Sequence, residues 1–103
     1  MQNPKKEFLN RYILQERKIL RYEKLINLNP KYKNKYDRCI KNANNLRIEI
    51  ENIINEIDDD LLVEILFQKY IFGKTLEEIS LILNYSKRHI ERLHIKALEK
   101  IKI

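Results

Sequence analysis

Glycine occurs once in this 103-residue chain, proline twice, cysteine once and tryptophan not at all. So little turn chemistry is incompatible with an all-β fold, which needs a tight turn every few residues. The lone Cys39 has no partner for an internal disulfide. A phosphate-cradling loop is excluded as well, because Gly73 stands by itself. No Ser, Cys or acidic residue is spaced with a histidine as a nucleophile and base would be, so the chain is expected to be a non-enzyme that needs no cofactor. His89 and His94 are five positions apart, which splits them between helix faces, and Cys39 is remote, so no metal site is expected. No apolar run approaches the roughly 18 residues that cross a bilayer, and no short apolar leader follows Met1. A soluble, cytoplasmic protein with no membrane association is the expectation.

Charge is abundant and unevenly placed. The net charge is +6, and 35% of residues are charged. Residues 1–57 hold 13 Lys/Arg against 7 Asp/Glu, residues 58–85 hold 2 against 6, and residues 86–103 hold 6 against 2. The second half of the chain is thus near neutral overall but strongly polarised, with its cations gathered at the end. A basic balance favours polyanionic partners, although many soluble proteins share it. The size fits one domain, or a small domain carrying a helical appendage.

From Lys5 to Leu28, Phe8, Leu9, Tyr12, Ile13, Ile19, Leu20 and Ile26 recur at helical spacing, and Pro4 suits a first turn. Asn27, Asn29 and Pro30 break the pattern. From Tyr36 onward Cys39, Ala43, Leu46, Ile50, Ile53 and Ile57 keep alternating steps of three and four, the seam of a coiled-coil-like helix. Two helices of matched length joined by a short break pack most economically as an antiparallel hairpin, assigned to residues 1–57. Cys39 lies on the seam as a small buried hydrophobe, and Tyr12 and Tyr36 lie on the stripes. Leu14, Leu25 and Leu28 fall outside the first helix's stripe, so that helix is expected to meet a second surface, in its own chain or in another protomer.

Residues 58–103 read as a second unit. Asp58–Asp60 suits a helix N-terminus, where a carboxylate accepts from free N–H groups and meets the positive end of the helix dipole. A helix over about 60–72 follows, with Gly73 placed to end it in the left-handed conformation. Thr75 and Glu78 form a capping box ahead of Ile79, Leu81, Ile82 and Leu83. Asn84 suits a left-handed turn position, and Ser86 caps the last helix. Two short helices joined by a three-residue turn have helix-turn-helix spacing. On the last helix Ile90, Leu93, Ala97 and Ile101 make a core stripe. Arg88, Glu91, Arg92, Ile95 and Lys96 fall on the opposite side, with Lys87 at its edge, where a groove-binding helix meets base edges and phosphates. His94 is expected at the domain edge or on a phosphate.

The stretch "TLEEISLILNYSKRHIERLHIKALEKI", preceded by "QKYIFGK", resembles the fourth-region helix-turn-helix of sigma-70-family transcription factors, and more closely the short sigma-like late-gene regulators of phages and prophages of Gram-positive bacteria. The resemblance covers residues 62–101. It implies an all-α protein in which a helical N-terminal segment precedes a DNA-binding module, a function as a sequence-specific regulator of transcription, and double-stranded DNA and RNA polymerase as partners. A homodimer through the N-terminal helices is the simpler way to gain specific affinity. By position, the resemblance implicates Lys87, Arg88 and Arg92 in base reading and Lys96 in a phosphate contact. Arg88 stands where the housekeeping factors place a glutamate, and Glu91 where they place an arginine. Arginine favours guanine while a carboxylate accepts from cytosine, so the preferred site is expected to differ from the housekeeping element. Two other readings stay open: a phage small terminase subunit, and a helical interaction protein that has lost DNA binding.

Overall fold

The computed structural model describes residues 3–103 and is all-helical, with five helices and no strand among the described residues. Helix α1 spans Pro4–Leu28 and begins where the Asn3 side chain accepts from the Lys5 and Lys6 backbone N–H groups. A 3₁₀ turn over Pro30–Tyr32 leads into α2, Lys33–Asn55. Helices α3 (Asp60–Leu66), α4 (Leu76–Leu83) and α5 (Lys87–Lys100) follow.

Helices α1 and α2 run antiparallel. Tyr22 stacks on Tyr36 near the connection, 5.5 Å between ring centroids, and at the far end the Tyr12 hydroxyl donates to Glu51 over 2.9 Å. The Arg47 guanidinium covers the Tyr12 ring at 5.3 Å, so one tyrosine joins the helices through both its hydroxyl and its face.

The stripes differ from the expected ones in ways that follow from what covers them. On α1 the buried line is Leu9, Tyr12, Gln15 and Ile19, while Leu20 is 59% exposed. Tyr12, Gln15 and Ile19 keep the three-then-four spacing of a seam, so a polar residue occupies a position that apolar periodicity skips, and Leu20 rotates outward. On α2 Ala43 and Ile50 are buried as expected, as is Ile57 just beyond its end, but Ile54 is also fully buried, and Tyr36 and Cys39 are only half-covered. Near the connection each helix has a single neighbour, which leaves seam residues partly open. Toward Ile50 and Ile54 the C-terminal helices add a third wall. Leu9, Tyr12, Ile50, Ile54, Leu62, Tyr70, Ala97 and Ile101 belong to one continuous core. Helix α1 therefore meets its second surface partly within its own chain, while Leu14 and Leu28 remain exposed.

Helix α3 departs from the expected single helix over 60–72. Its regular part ends at Leu66 and continues as a wide turn over Phe67–Ile71, in which the Phe72 N–H bonds to the Phe67 carbonyl over 2.9 Å. A bond to the fifth preceding residue fits one more residue into the turn than an α-helix holds. Tyr70 enters the core while Lys69 stays half-covered beside it. Gly73 then reverses the chain at φ +71°.

Candidate nucleic-acid interface

The polar bonds at the helix ends decide how α5 is presented. Asp59 accepts from the Leu61 and Leu62 N–H groups at 3.1 and 3.2 Å and starts α3. At α4 the Thr75 hydroxyl accepts from the Glu78 N–H at 3.1 Å, and the Glu78 carboxylate accepts from the Thr75 N–H at 3.0 Å. That backbone bond from Thr75 holds the Glu78 carboxyl below its ordinary range. Asn84 ends α4 with φ 60° and ψ 41°, the one non-glycine residue with positive φ among those described. Its side chain is short and polar, which makes the left-handed conformation accessible where a bulkier residue would clash. Ser86 then accepts from the His89 N–H at 3.1 Å and opens α5. Each cap expected from sequence is in place, so the three residues 84–86 set the direction of α5 relative to α4.

Helix α5 is anchored by one face. Ile90, Ala97 and Ile101 are buried, with Leu93 packed beside them. Ile90 meets Ile65 and Ile79, which ties α5 to both α3 and α4. Leu98 is also buried, and so is His94, which is 5% exposed and lies 2.7 Å through Nε2 from the Tyr70 hydroxyl. The expectation that His94 stands at the domain edge or on a phosphate is therefore corrected: it is a core residue paired with Tyr70. Periodicity missed it because one histidine on an apolar arc looks polar until a hydroxyl faces it. Burial first, and the nearby cations Lys69 and Lys6 second, push the His94 imidazole down to about 4. Burial pushes the Tyr70 phenol up, so it stays protonated and can donate to Nε2.

Lys87, Arg88, Glu91, Arg92 and Lys96 are all exposed. They do not form one uniform surface. At 100° per residue Arg88 and Arg92 lie nearly opposite the buried arc. Neither makes an ion pair among the described residues, where the one salt bridge joins Lys33 to Asp37. Lys87 and Glu91 sit on one flank, lining a groove with Ile13 of α1, Lys69 and the segment from Gly73 to Glu77. Lys96 sits on the other flank, in a hollow shared with Lys100, Lys102, Glu56, Asp58 and Asp59. The outward surface thus carries two unpaired arginines, and its two flanks differ in charge and in neighbours.

No family model, curated protein or solved structure matches this chain. Two planar guanidinium groups project from the first two turns of a helix whose opposite side is fixed in a core. A guanidinium forms paired hydrogen bonds with a phosphate or with the O6 and N7 edge of guanine. A helix 10–12 Å across, side chains included, fits a major groove about 12 Å wide. Ile95, 58% exposed beyond Arg92, adds an apolar contact that could meet a thymine methyl.

Proposed function

We propose that the protein is a sequence-specific double-stranded DNA-binding transcriptional regulator. In this reading α4 and α5 form a helix-turn-helix of the kind found in the fourth region of sigma factors, and the protein is a phage or prophage gene activator. Helix α5 enters the major groove, Arg88 and Arg92 read base edges, Glu91 and Lys87 contact the adjoining bases or backbone, and Lys96 reaches a phosphate. The observation that carries this reading is the pair of unpaired, exposed arginines on the outward face of α5, aimed by the left-handed turn at Asn84. A merely solvated face would need no such fixed entry angle.

Residues 1–57 form the helical hairpin of this arrangement and residues 58–103 the DNA-binding unit. The hairpin serves self-association or docking on RNA polymerase. Leu14, Leu20, Leu28 and Ile48, each more than half exposed, support a homodimer through these helices. One such module alone buries only about 600–1,000 Å² against DNA, so a second contact raises specific affinity.

The test is selection of bound sequences from random duplex DNA by the full-length protein, repeated with Arg88→Ala and Arg92→Ala. Each variant is expected to lose about 1–3 kcal/mol on the preferred site and to relax preference at one base pair. Uniform losses on every sequence, with the preferred site unchanged, would show that α5 does not read bases.

A further inference from the structure

The net charge of the chain resides in one part of it. Residues 16–42 hold 9 Lys/Arg against 3 Asp/Glu, while the remaining residues hold 12 against 12. The charged part is the second half of α1, the connection and the first half of α2, and none of its residues belongs to the core that joins these helices to the C-terminal ones. It forms an arm about 18 Å long, at 1.5 Å per residue from Glu16 to Leu28, in a molecule 51 Å long. Among the described residues the arm has one ion pair, Lys33 to Asp37. Its other cations have no carboxylate within ion-pairing distance, and all of them but Lys18 are exposed. Like charges crowded in this way repel one another, and a polyanion laid along them relieves the repulsion.

The charge is also sided. Between the two helices of the arm runs a groove lined by Lys18 and Tyr22 of α1 and by Cys39 and Asn42 of α2, and no carboxylate among the described residues lines it. Arg21 is one turn on from Lys18, and Lys35 and Arg38 lie four positions before Cys39 and Asn42, so cations flank the groove from both helices. The acids sit elsewhere. At 100° per residue Glu16 and Glu23 are about 160° and 140° around α1 from Lys18, and Asp37 is about 160° around α2 from Lys35. We propose that this groove side of the arm is a second DNA contact, in which Lys18, Arg21, Lys35 and Arg38 hold phosphates of one strand of a duplex and Asn42 donates to its backbone. Duplex is favoured over an unpaired strand because the Tyr22 ring is stacked on Tyr36 at 5.5 Å and covered by Arg21 at 5.1 Å, so it is not a free platform for a base. A lipid surface fits less well, since the apolar members of the groove, Ala43 and Leu46, are buried or half-buried and do not project into a bilayer interface. Backbone contacts carry no sequence information, so the arm raises affinity for any duplex while the preferred bases stay those set by α5. The choice of DNA as the polyanion rests on the reading of α5 as a groove helix.

The experiment measures fluorescence anisotropy of the full-length protein between about 50 and 200 mM salt, on the selected duplex and on an unrelated one of about 30 base pairs, roughly twice the length of the molecule. Lys35→Gln/Arg38→Gln removes two exposed cations that make no hydrogen bond or ion pair among the described residues, so folding is spared. It is expected to flatten the slope of log K against log salt by about 1.8 on both duplexes, with the preferred sequence unchanged. Lys24→Gln/Lys33→Gln removes the same charge from outside the groove and is expected to change the slope by less than half as much. Arg88→Ala/Arg92→Ala is expected to lose the preference for the selected duplex and to keep salt-dependent binding to both. A wild type that binds duplex DNA while Lys35→Gln/Arg38→Gln alters the slope no more than Lys24→Gln/Lys33→Gln does overturns the arm contact and leaves the reading of α5 standing. A slope that falls at the arm in a protein with no preferred sequence upholds the arm and overturns the reading of α5. A wild type that binds vesicles of equal parts phosphatidylcholine and phosphatidylserine but no duplex overturns both.

Discussion

Acid should weaken this protein through His94. Its imidazole is 5% exposed, its Nε2 lies 2.7 Å from the Tyr70 hydroxyl, and its folded-state pKa is pushed from 6.5 to about 4. The unfolded chain therefore takes up a proton near pH 6.5 that the folded chain refuses until about pH 4. Because the unfolded state binds more protons across that window, stability rises with pH there. The full contribution is present above the unfolded value and disappears as the pH falls through the folded one. A difference of about 2.5 pKa units at 1.36 kcal/mol each is about 3 kcal/mol, a large share of the 5–15 kcal/mol that holds a typical domain together. His94→Gln keeps a hydrogen-bonding partner for Tyr70 and does not titrate. Urea unfolding followed by circular dichroism should show the wild type losing about 1.4 kcal/mol per pH unit more than this variant between about pH 6 and pH 4.5. Parallel curves for the two proteins, or a folded-state histidine resonance for residue 94 that titrates near 6.5, would refute the argument.

Tyr70→Phe leaves the His94 nitrogen buried without its partner and should cost about 1–3 kcal/mol in chemical denaturation. Asn84→Gly should be tolerated, whereas Asn84→Val should lower stability by about 1–2 kcal/mol, since a β-branched residue is penalised at φ 60°; equal melting temperatures for the two would contradict the turn's role. Gly73→Ala should cost about 1–2 kcal/mol for conformational reasons, because a Cβ there meets only the Ile13 Cδ1 at an ordinary 3.5 Å. Thr75→Ala removes one half of the capping box and should destabilise by about 1 kcal/mol, with Thr75→Ser close to wild type in the same melt.

The sequence by itself determined the all-helical class, where the later helices begin, and the turn that ends α4. Asp59, Thr75 and Ser86 act through bonds to residues two or three positions away, and Gly73 and Asn84 through their own dihedral angles, so nothing distant is needed to read them. The exposure of Lys87, Arg88, Glu91, Arg92 and Lys96 was legible for a similar reason, because 100° steps around one helix place them away from the Ile90–Ala97–Ile101 stripe. What depends on neighbours from elsewhere in the chain was not legible. Gln15 displaced Leu20 from the core because the face of α1 is chosen by the spacing of α2 across from it. Ile54 became fully buried because the C-terminal helices close over that end of α2. His94 became a core residue because the wide turn at Phe67–Ile71 turns the Tyr70 hydroxyl toward it. The inequality of the two flanks of α5 is likewise tertiary. Local helix geometry spaces cations around an axis, but only packing decides that Lys96 shares a hollow with Asp58 and Asp59, while Lys87 shares a groove with Lys69 and with Ile13 of α1.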